Sequence, residues 1–71
     1  MTMLASMPYP TAREAINACQ DGEVAIRLDG MNLVLDRESA YELDAEGIEF
    51  AYLAFLTRAD GQRVVVTVPV N

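Results

Sequence analysis

Apolar residues follow two different spacings along this chain, one typical of helices and one typical of strands. Downstream of Thr11 they return every three to four positions: Ala12, Ala15, Ile16 and Cys19. Thr11 followed three residues later by Glu14 is the pattern of a capping box, which closes the first turn of a helix. We therefore expect a helix from Thr11 to Gly22, with Cys19 as a small core residue rather than a reactive thiol.

The next segment, EVAIRLDGMNLVLD, contains Asp29-Gly30, a pair that favours a two-residue turn between antiparallel strands. Such a turn fixes the pairing of the strands, and three apolar pairs then share one face: Leu28 with Met31, Ile26 with Leu33, and Val24 with Leu35. The opposite face has a mixed composition: Ala25, Arg27, Asn32 and Val34. We expect this hairpin to be half-buried, with its mixed face nearer water.

A second, shorter helix is expected between Asp36 and Gly47. Either Asp36 or Ser39 can act as its N-cap, and Gly47 is a typical stop. The region is strongly acidic, but the spacing of its carboxylates does not match a calcium-binding loop. We interpret these acids as a solvated helix face and expect no metal and no cofactor.

The last two segments, Ile48 to Thr57 and Gln62 to Val70, are rich in β-branched and aromatic residues and flank a second Asp-Gly pair. A two-residue turn at Asp60-Gly61 would pair Thr57 with Val64, Phe55 with Val66, Leu53 with Val68 and Ala51 with Val70. Pro69 cannot donate a backbone hydrogen bond, so this last strand is expected at an edge of the sheet.

These four units predict an α+β fold with the element order α-β-β-α-β-β. We expect two layers: a four-stranded, mostly antiparallel sheet with two helices on one face. Pro8 and Pro10 resist regular structure, so residues 1–10 are expected to form a flexible tail and residues 11–71 a single domain.

The composition of the chain excludes or disfavours several classes of function. The chain has 71 residues, 52% of them hydrophobic, and a formal net charge of −6. Its five basic residues are all arginines, and it has no histidine, so the commonest proton-transfer group and metal ligand is absent. The negative charge argues against a binder of nucleic-acid phosphates. One cysteine, no signal-peptide pattern and no long apolar span indicate a cytoplasmic protein that does not cross a membrane.

The second hairpin is apolar on both faces, whereas two short helices can cover only one face of the sheet. The predicted pairing leaves one set of large apolar side chains uncovered: Phe50, Tyr52, Leu56 and Val65. An exposed apolar patch of this size favours a partner, and a second copy of the same chain is the commonest one. We therefore expect a homodimer through these residues.

Three arginines are candidate anion contacts: Arg27, Arg58 and Arg63. Arg58 and Arg63 are predicted to lie opposite each other on the second hairpin, where two like charges would repel unless an anion bridges them. The alternative is that each arginine pairs with one of the eleven acids of the chain.

The leading functional hypothesis is a small interaction module without enzymatic activity, homodimeric, with its acidic second helix available to a protein partner. Two alternatives stay open: a small dimeric nucleic-acid regulator similar to repressors or antitoxins, and an acidic mimic of nucleic acid. An enzyme is the weakest hypothesis, because carboxylates at Glu38, Glu42 and Asp44 have no base of suitable pKa beside them in the sequence.

Overall fold

A computed structural model of the chain describes residues 7–70. It contains two helices and four strands, and the predicted α+β class and element order are confirmed. The bounds are α1, Ala12–Ala18; β1, Glu23–Leu28; β2, Met31–Asp36; α2, Arg37–Ala45; β3, Ala51–Thr57; and β4, Arg63–Pro69.

Both helices begin at side chains that the sequence marks as caps. The Thr11 hydroxyl accepts from the amide of Glu14 at 3.1 Å, and it donates to the Glu14 carboxylate at 3.2 Å. For α2 the cap is Asp36, whose carboxylate accepts from the amide of Ser39 at 3.2 Å, so the first of the two predicted caps is used. The predicted end of α1 at Gly22 is wrong, since the helix stops at Ala18 and residue 19 has extended backbone.

The strands form one antiparallel sheet in the order β2-β1-β3-β4. The predicted register of the first hairpin is confirmed, with Leu28 opposite Met31 and Ile26 opposite Leu33. Asp29 and Gly30 make this turn possible because both take the left-handed conformation, with φ of 54° and 81°.

The predicted register of the second hairpin is wrong by one residue. Phe55 lies opposite Val65 rather than Val66. The cause is the length of the turn: the Arg58 amide donates to the Gln62 carbonyl at 2.7 Å, so three residues rather than two lie in the loop. The Asp60 carboxylate accepts from the amide of Gln62, and Gly61 takes a φ of 88°. A shift of one residue moves every β4 side chain to the other face of the sheet.

The two helices lie on opposite faces of the sheet, so the prediction that both lie on one face is wrong. Neighbouring residues of a strand point to opposite faces. Under α2 lies a core formed by Ile26, Leu33, Leu35, Ala40, Leu43 and Phe50. Under α1 lies a second core, formed by Ala15, Ala25, Val34 and Leu53. The mixed face of the first hairpin, expected near water, is the surface that α1 covers.

The open side of β2 is partly covered by the segment that precedes α1. The Tyr9 amide donates to the Asn32 carbonyl at 2.7 Å, and the Asn32 side chain donates back to the Tyr9 carbonyl at 3.2 Å. Tyr9 also packs against the core under α1. Tyr9, which belongs to the predicted tail, is therefore hydrogen-bonded to the edge strand β2. Residues 1–6 of that tail lie outside the described residues.

Candidate interaction surface

The β3–β4 hairpin has one apolar face that contains none of the buried residues of either core; only Tyr52, at its end, packs against the core under α2. We call this surface the hairpin patch. It lies on the α2 side of the sheet and is formed by Tyr52, Ala54, Leu56, Val64, Val66 and Val68. Leu56 is 54% exposed and Val68 is 48% exposed. No residue of β4 is buried, although five of its seven residues are apolar.

The hairpin patch exists because α2 packs against β1 and β2 and leaves the neighbouring strands bare. A helix of nine residues spans about 13 Å along its axis. Its buried residues, Ala40 and Leu43, belong to the core that lies between α2 and the strands β1 and β2. The uncovered surface thus lies beside α2, on the same face of the sheet.

The structure brings together three of the four predicted interface residues. Phe50, Tyr52 and Leu56 lie on the α2 side, but Val65 lies on the α1 side and packs against the core there. Phe50 is 8% exposed, so it is a core residue rather than a free surface. Its ring meets Tyr52 edge-on, with centroids 5.4 Å apart, and this contact joins the core to the hairpin patch.

The sequence prediction missed the contribution of β4 to this surface: Val64, Val66 and Val68. Its expected turn had two residues, and the observed turn has three. The signal was present in Asp60, because a short carboxylate side chain can bond to the backbone two residues ahead and so lengthen a turn. The apolar character of the face was nevertheless predicted, because the consecutive valines at 64, 65 and 66 place an apolar side chain on either face of β4.

The three arginines proposed as anion contacts do not share one surface. Arg27 lies near the Asp29-Gly30 turn, where its Nε and Nη2 donate to the side-chain oxygen of Asn32 at 3.2 and 3.0 Å. Arg58 and Arg63 lie at the opposite end of the sheet, beside the turn between β3 and β4. They are not opposite each other, because Arg63 pairs with Thr57. Arg58 reaches Asp60 at 4.0 Å in an exposed ion pair.

Arg63 instead belongs to a cluster that the sequence prediction did not identify. Its guanidinium lies 4.4 Å from the centre of the Phe55 ring, and the guanidinium of Arg13, on α1, lies 5.2 Å from the same centre. Both arginines are exposed. We call these three residues the Arg-Phe-Arg cluster. It lies on the α1 side of the hairpin, on the opposite face from the hairpin patch.

Cys19 is placed as a structural residue. It packs against the core under α1, and its thiol donates to the Ala15 carbonyl at 3.5 Å. Burial raises the pKa of the thiol above its ordinary value, and the carboxylate of Glu23 raises that pKa further. A raised pKa keeps the sulfur protonated near neutral pH, which is the opposite of what a nucleophilic cysteine requires.

The carboxylates considered for catalysis are all exposed on α2: Glu38, Glu42 and Asp44. Among residues 7–70, no three acidic, cysteine or histidine side chains are arranged so that they could hold a metal ion. Neither α1 nor α2 has the length and apolar composition that a membrane-crossing helix needs.

Comparison with known proteins identifies no relative: no family model, no curated protein and no solved structure matches this chain.

Proposed function

We propose that this chain is a small, non-enzymatic interaction module that forms a homodimer through the hairpin patch. One observation carries the proposal: six apolar side chains share one sheet face beside α2, and none of them is among the buried residues of either core, although Tyr52 packs against the core under α2. Burying a large apolar side chain contributes roughly 1.5 to 3 kcal/mol. For a chain of this size, leaving several such side chains in water is a large loss of stability and a risk of aggregation.

Two properties make a second copy a suitable partner for this surface. The hairpin of a second copy has about the same thickness as the α2 layer, and the hairpin patch carries no charge. The α2 helix covers half of the sheet face with a layer about 10 to 12 Å thick. Two sheets pack face to face about 10 Å apart, so the hairpin of a second copy would fill the layer that α2 leaves open. The hairpin patch contains no charged residue, so a twofold contact between two copies would bury no unpaired charge.

In this dimer the acidic outer face of α2 stays free, and it would be the contact for a different protein partner. Its exposed acids are Glu38, Glu42, Asp44 and Glu46, and Tyr41 is 60% exposed between them. A basic surface would complement this face. The single cysteine of the sequence supports a function in the reducing cytoplasm.

The test is the mass in solution, measured by sedimentation across a wide concentration range. We expect a concentration-dependent dimer for the wild type and monomers for Leu56→Glu and Val68→Glu, because each change puts a charge into the contact. Thr67→Glu is the matched control, since it adds the same charge at the neighbouring exposed residue on the other face. Circular dichroism checks that all variants are folded. A wild type that is monomeric at every concentration would refute the homodimer.

A further inference from the structure

The outer edge of β4 is open for pairing. Directly hydrogen-bonded pairs alternate along an antiparallel ladder. Because the Arg58 amide bonds to the Gln62 carbonyl and the register is constant, the even-numbered residues of β4 bond to β3. The backbone groups of Arg63, Val65 and Thr67 therefore point outward. Within residues 7–70, no element pairs with this side of β4.

This edge differs from the edge formed by β2. On β2, the segment around Tyr9 bonds to Asn32, and core residues lie on both faces of the strand. On β4, three outward amides and carbonyls follow one another at every second residue until Pro69, which has no amide hydrogen to offer. Natural proteins protect open edges with charged side chains, proline, bulges or short strands; β4 has seven residues, and its proline comes only at position 69, after the three outward residues.

Beside the open edge lies the Arg-Phe-Arg cluster. The ring of Phe55 contacts two guanidinium groups through cation–π interactions, and among residues 7–70 no group accepts a hydrogen bond from either guanidinium. In the described part of the chain, neither Arg13 nor Arg63 forms an ion pair, although the sequence has eleven acids. Two like charges close to one ring, with free donors, favour an anion between them, and the planar fork of arginine suits a carboxylate.

We propose that the open edge of β4 and the Arg-Phe-Arg cluster together bind an extended acidic peptide of a partner protein. The peptide adds as a fifth strand, and its backbone bonds to Arg63, Val65 and Thr67. A side chain directly opposite Arg63 on the added strand would have its Cβ atom about 4.5 to 5.5 Å away. A glutamate at that position reaches the cluster, while alternate residues of the peptide lie beside the valines of the hairpin patch.

A second copy of this chain is a poorer occupant of the edge. β4 contains no acidic residue, so pairing two copies of β4 supplies no carboxylate to either cluster. In the register centred on Val65, Arg63 would face Thr67 of the other copy. Charge complementarity therefore favours an acidic segment from a different protein. The backbone bonds to the peptide run along the edge of β4 rather than across the hairpin patch, and Thr67→Pro and Leu56→Glu change them separately, so the peptide and the homodimer can succeed or fail separately.

The test uses a fluorescent, end-capped heptapeptide in which valine occupies every odd position and the even positions are glutamate, threonine and glutamate. Its symmetry presents a glutamate to Arg63 in either strand direction. The control peptide has glutamine in place of both glutamates. We expect the acidic peptide to bind about tenfold tighter than the control, as measured by fluorescence anisotropy. Arg63→Gln removes this difference, and Arg13→Gln reduces it.

Two further variants test whether peptide binding depends on overall charge or on the backbone edge of β4. Arg37→Gln removes one exposed positive charge at the start of α2, and we expect no change in peptide affinity. Thr67→Pro removes an outward amide without removing a bond to β3, and we expect both peptides to lose binding. Circular dichroism confirms that these variants are folded.

Five results would overturn the proposal. The first three are the absence of binding at millimolar peptide, equal binding of the two peptides, and retention of binding by Thr67→Pro, each in a folded protein. The fourth is a wild-type dimer that Thr67→Pro dissociates, because the edge would then belong to a second copy. A single-stranded oligonucleotide that binds in an Arg63-dependent way, while the peptide does not, would assign the cluster to nucleic acid and equally refute it.

Discussion

Ala25 and Ile26 are consecutive residues of β1, and each lies in a different core. Ala25 is 4% exposed beneath α1, whereas Ile26 is completely buried beneath α2. The two cores differ in the size of their residues. Alanine at both Ala15 and Ala25 keeps the space between α1 and the sheet narrow, while large aliphatic residues and Phe50 fill the other side. β1 is thus a central strand that is buried on both faces.

Because both Ala25 and Ile26 are buried, a change in side-chain volume at either position should lower the free energy of unfolding. Ile26→Ala should lower the free energy of unfolding by about 2 to 5 kcal/mol because it leaves a cavity, and Ile26→Val by about 0.5 to 1.5 kcal/mol. Ala25→Leu should lower it by about 1 to 3 kcal/mol through overpacking. Urea denaturation measures all three values.

The control for these variants is Asn17→Leu, which adds an apolar side chain at an exposed position of α1. We expect it to change the free energy of unfolding by less than about 0.5 kcal/mol. If Ala25→Leu were equally harmless, α1 would not pack closely on this face of the sheet.

At the turn between β1 and β2, a substitution of Gly30 should strain the backbone without a clash against neighbouring residues. Gly30 has a φ of 81°, and a Cβ atom at this position would meet nothing within 4 Å. The cost of Gly30→Ala is therefore backbone strain alone, about 1 to 2 kcal/mol of the free energy of unfolding. Thermal or urea unfolding measures this loss. Asp29→Asn is the control, because asparagine also accepts a positive φ; an equal loss in both variants would contradict this explanation.

The elements were predictable where local chemistry decides the outcome. Thr11 with Glu14, Asp36, and Asp29-Gly30 each specify a cap or a turn within four residues, and all three are used as expected. The placement of α1 is decided by longer-range packing. The mixed composition of the face with Ala25 and Arg27 resembles a solvated surface, and only the folded chain shows that small residues there admit a helix.

The interaction surfaces were predictable only in part. The β4 strand is apolar at successive positions, so an uncovered apolar face was expected whichever register formed. Which valines lie on it depended on one side chain, Asp60, whose bond to the Gln62 amide sets the length of the turn. The pairing of Arg13 with Phe55 joins residues 42 positions apart in the sequence (55 minus 13). No local pattern could have identified that contact.

Asn32 on β2 bonds both to Arg27 on β1 and to Tyr9 in the segment before α1. We therefore expect its replacement to lower the stability of the fold and to weaken the attachment of Tyr9 together. Its side chain accepts from Arg27 and donates to the Tyr9 carbonyl, and it is 8% exposed. Asn32→Leu should lower the free energy of unfolding by about 1 to 3 kcal/mol, because it leaves the Tyr9 carbonyl without its side-chain donor. Hydrogen exchange at the Tyr9 amide should accelerate more than exchange in β1.

Asn32→Asp separates the two contacts. Aspartate still accepts from Arg27 but cannot donate to the Tyr9 carbonyl. We expect the Tyr9 amide to exchange faster, with a smaller loss of global stability than in Asn32→Leu, because the bond from Arg27 becomes charge-assisted. Unchanged exchange at Tyr9 in both variants would show that the backbone bond alone holds this segment.

Cys19 predicts a pH dependence that one labelling experiment can measure, since the chain has a single thiol. Burial, and then the Glu23 carboxylate, raise the pKa of this thiol in the folded state above its ordinary value of 9.0. The folded chain therefore holds the proton more tightly than the unfolded chain. The stabilisation is fully present below the unfolded pKa and is lost as pH rises through the folded pKa.

Alkylation of Cys19 by iodoacetamide should show a higher pH midpoint in buffer than in urea. Glu23→Gln keeps an oxygen that can accept from the Gln20 amide and removes the charge, so it should lower the midpoint by the smaller part of the shift. A folded midpoint at or below the unfolded one would mean that the thiol is neither buried nor close to Glu23.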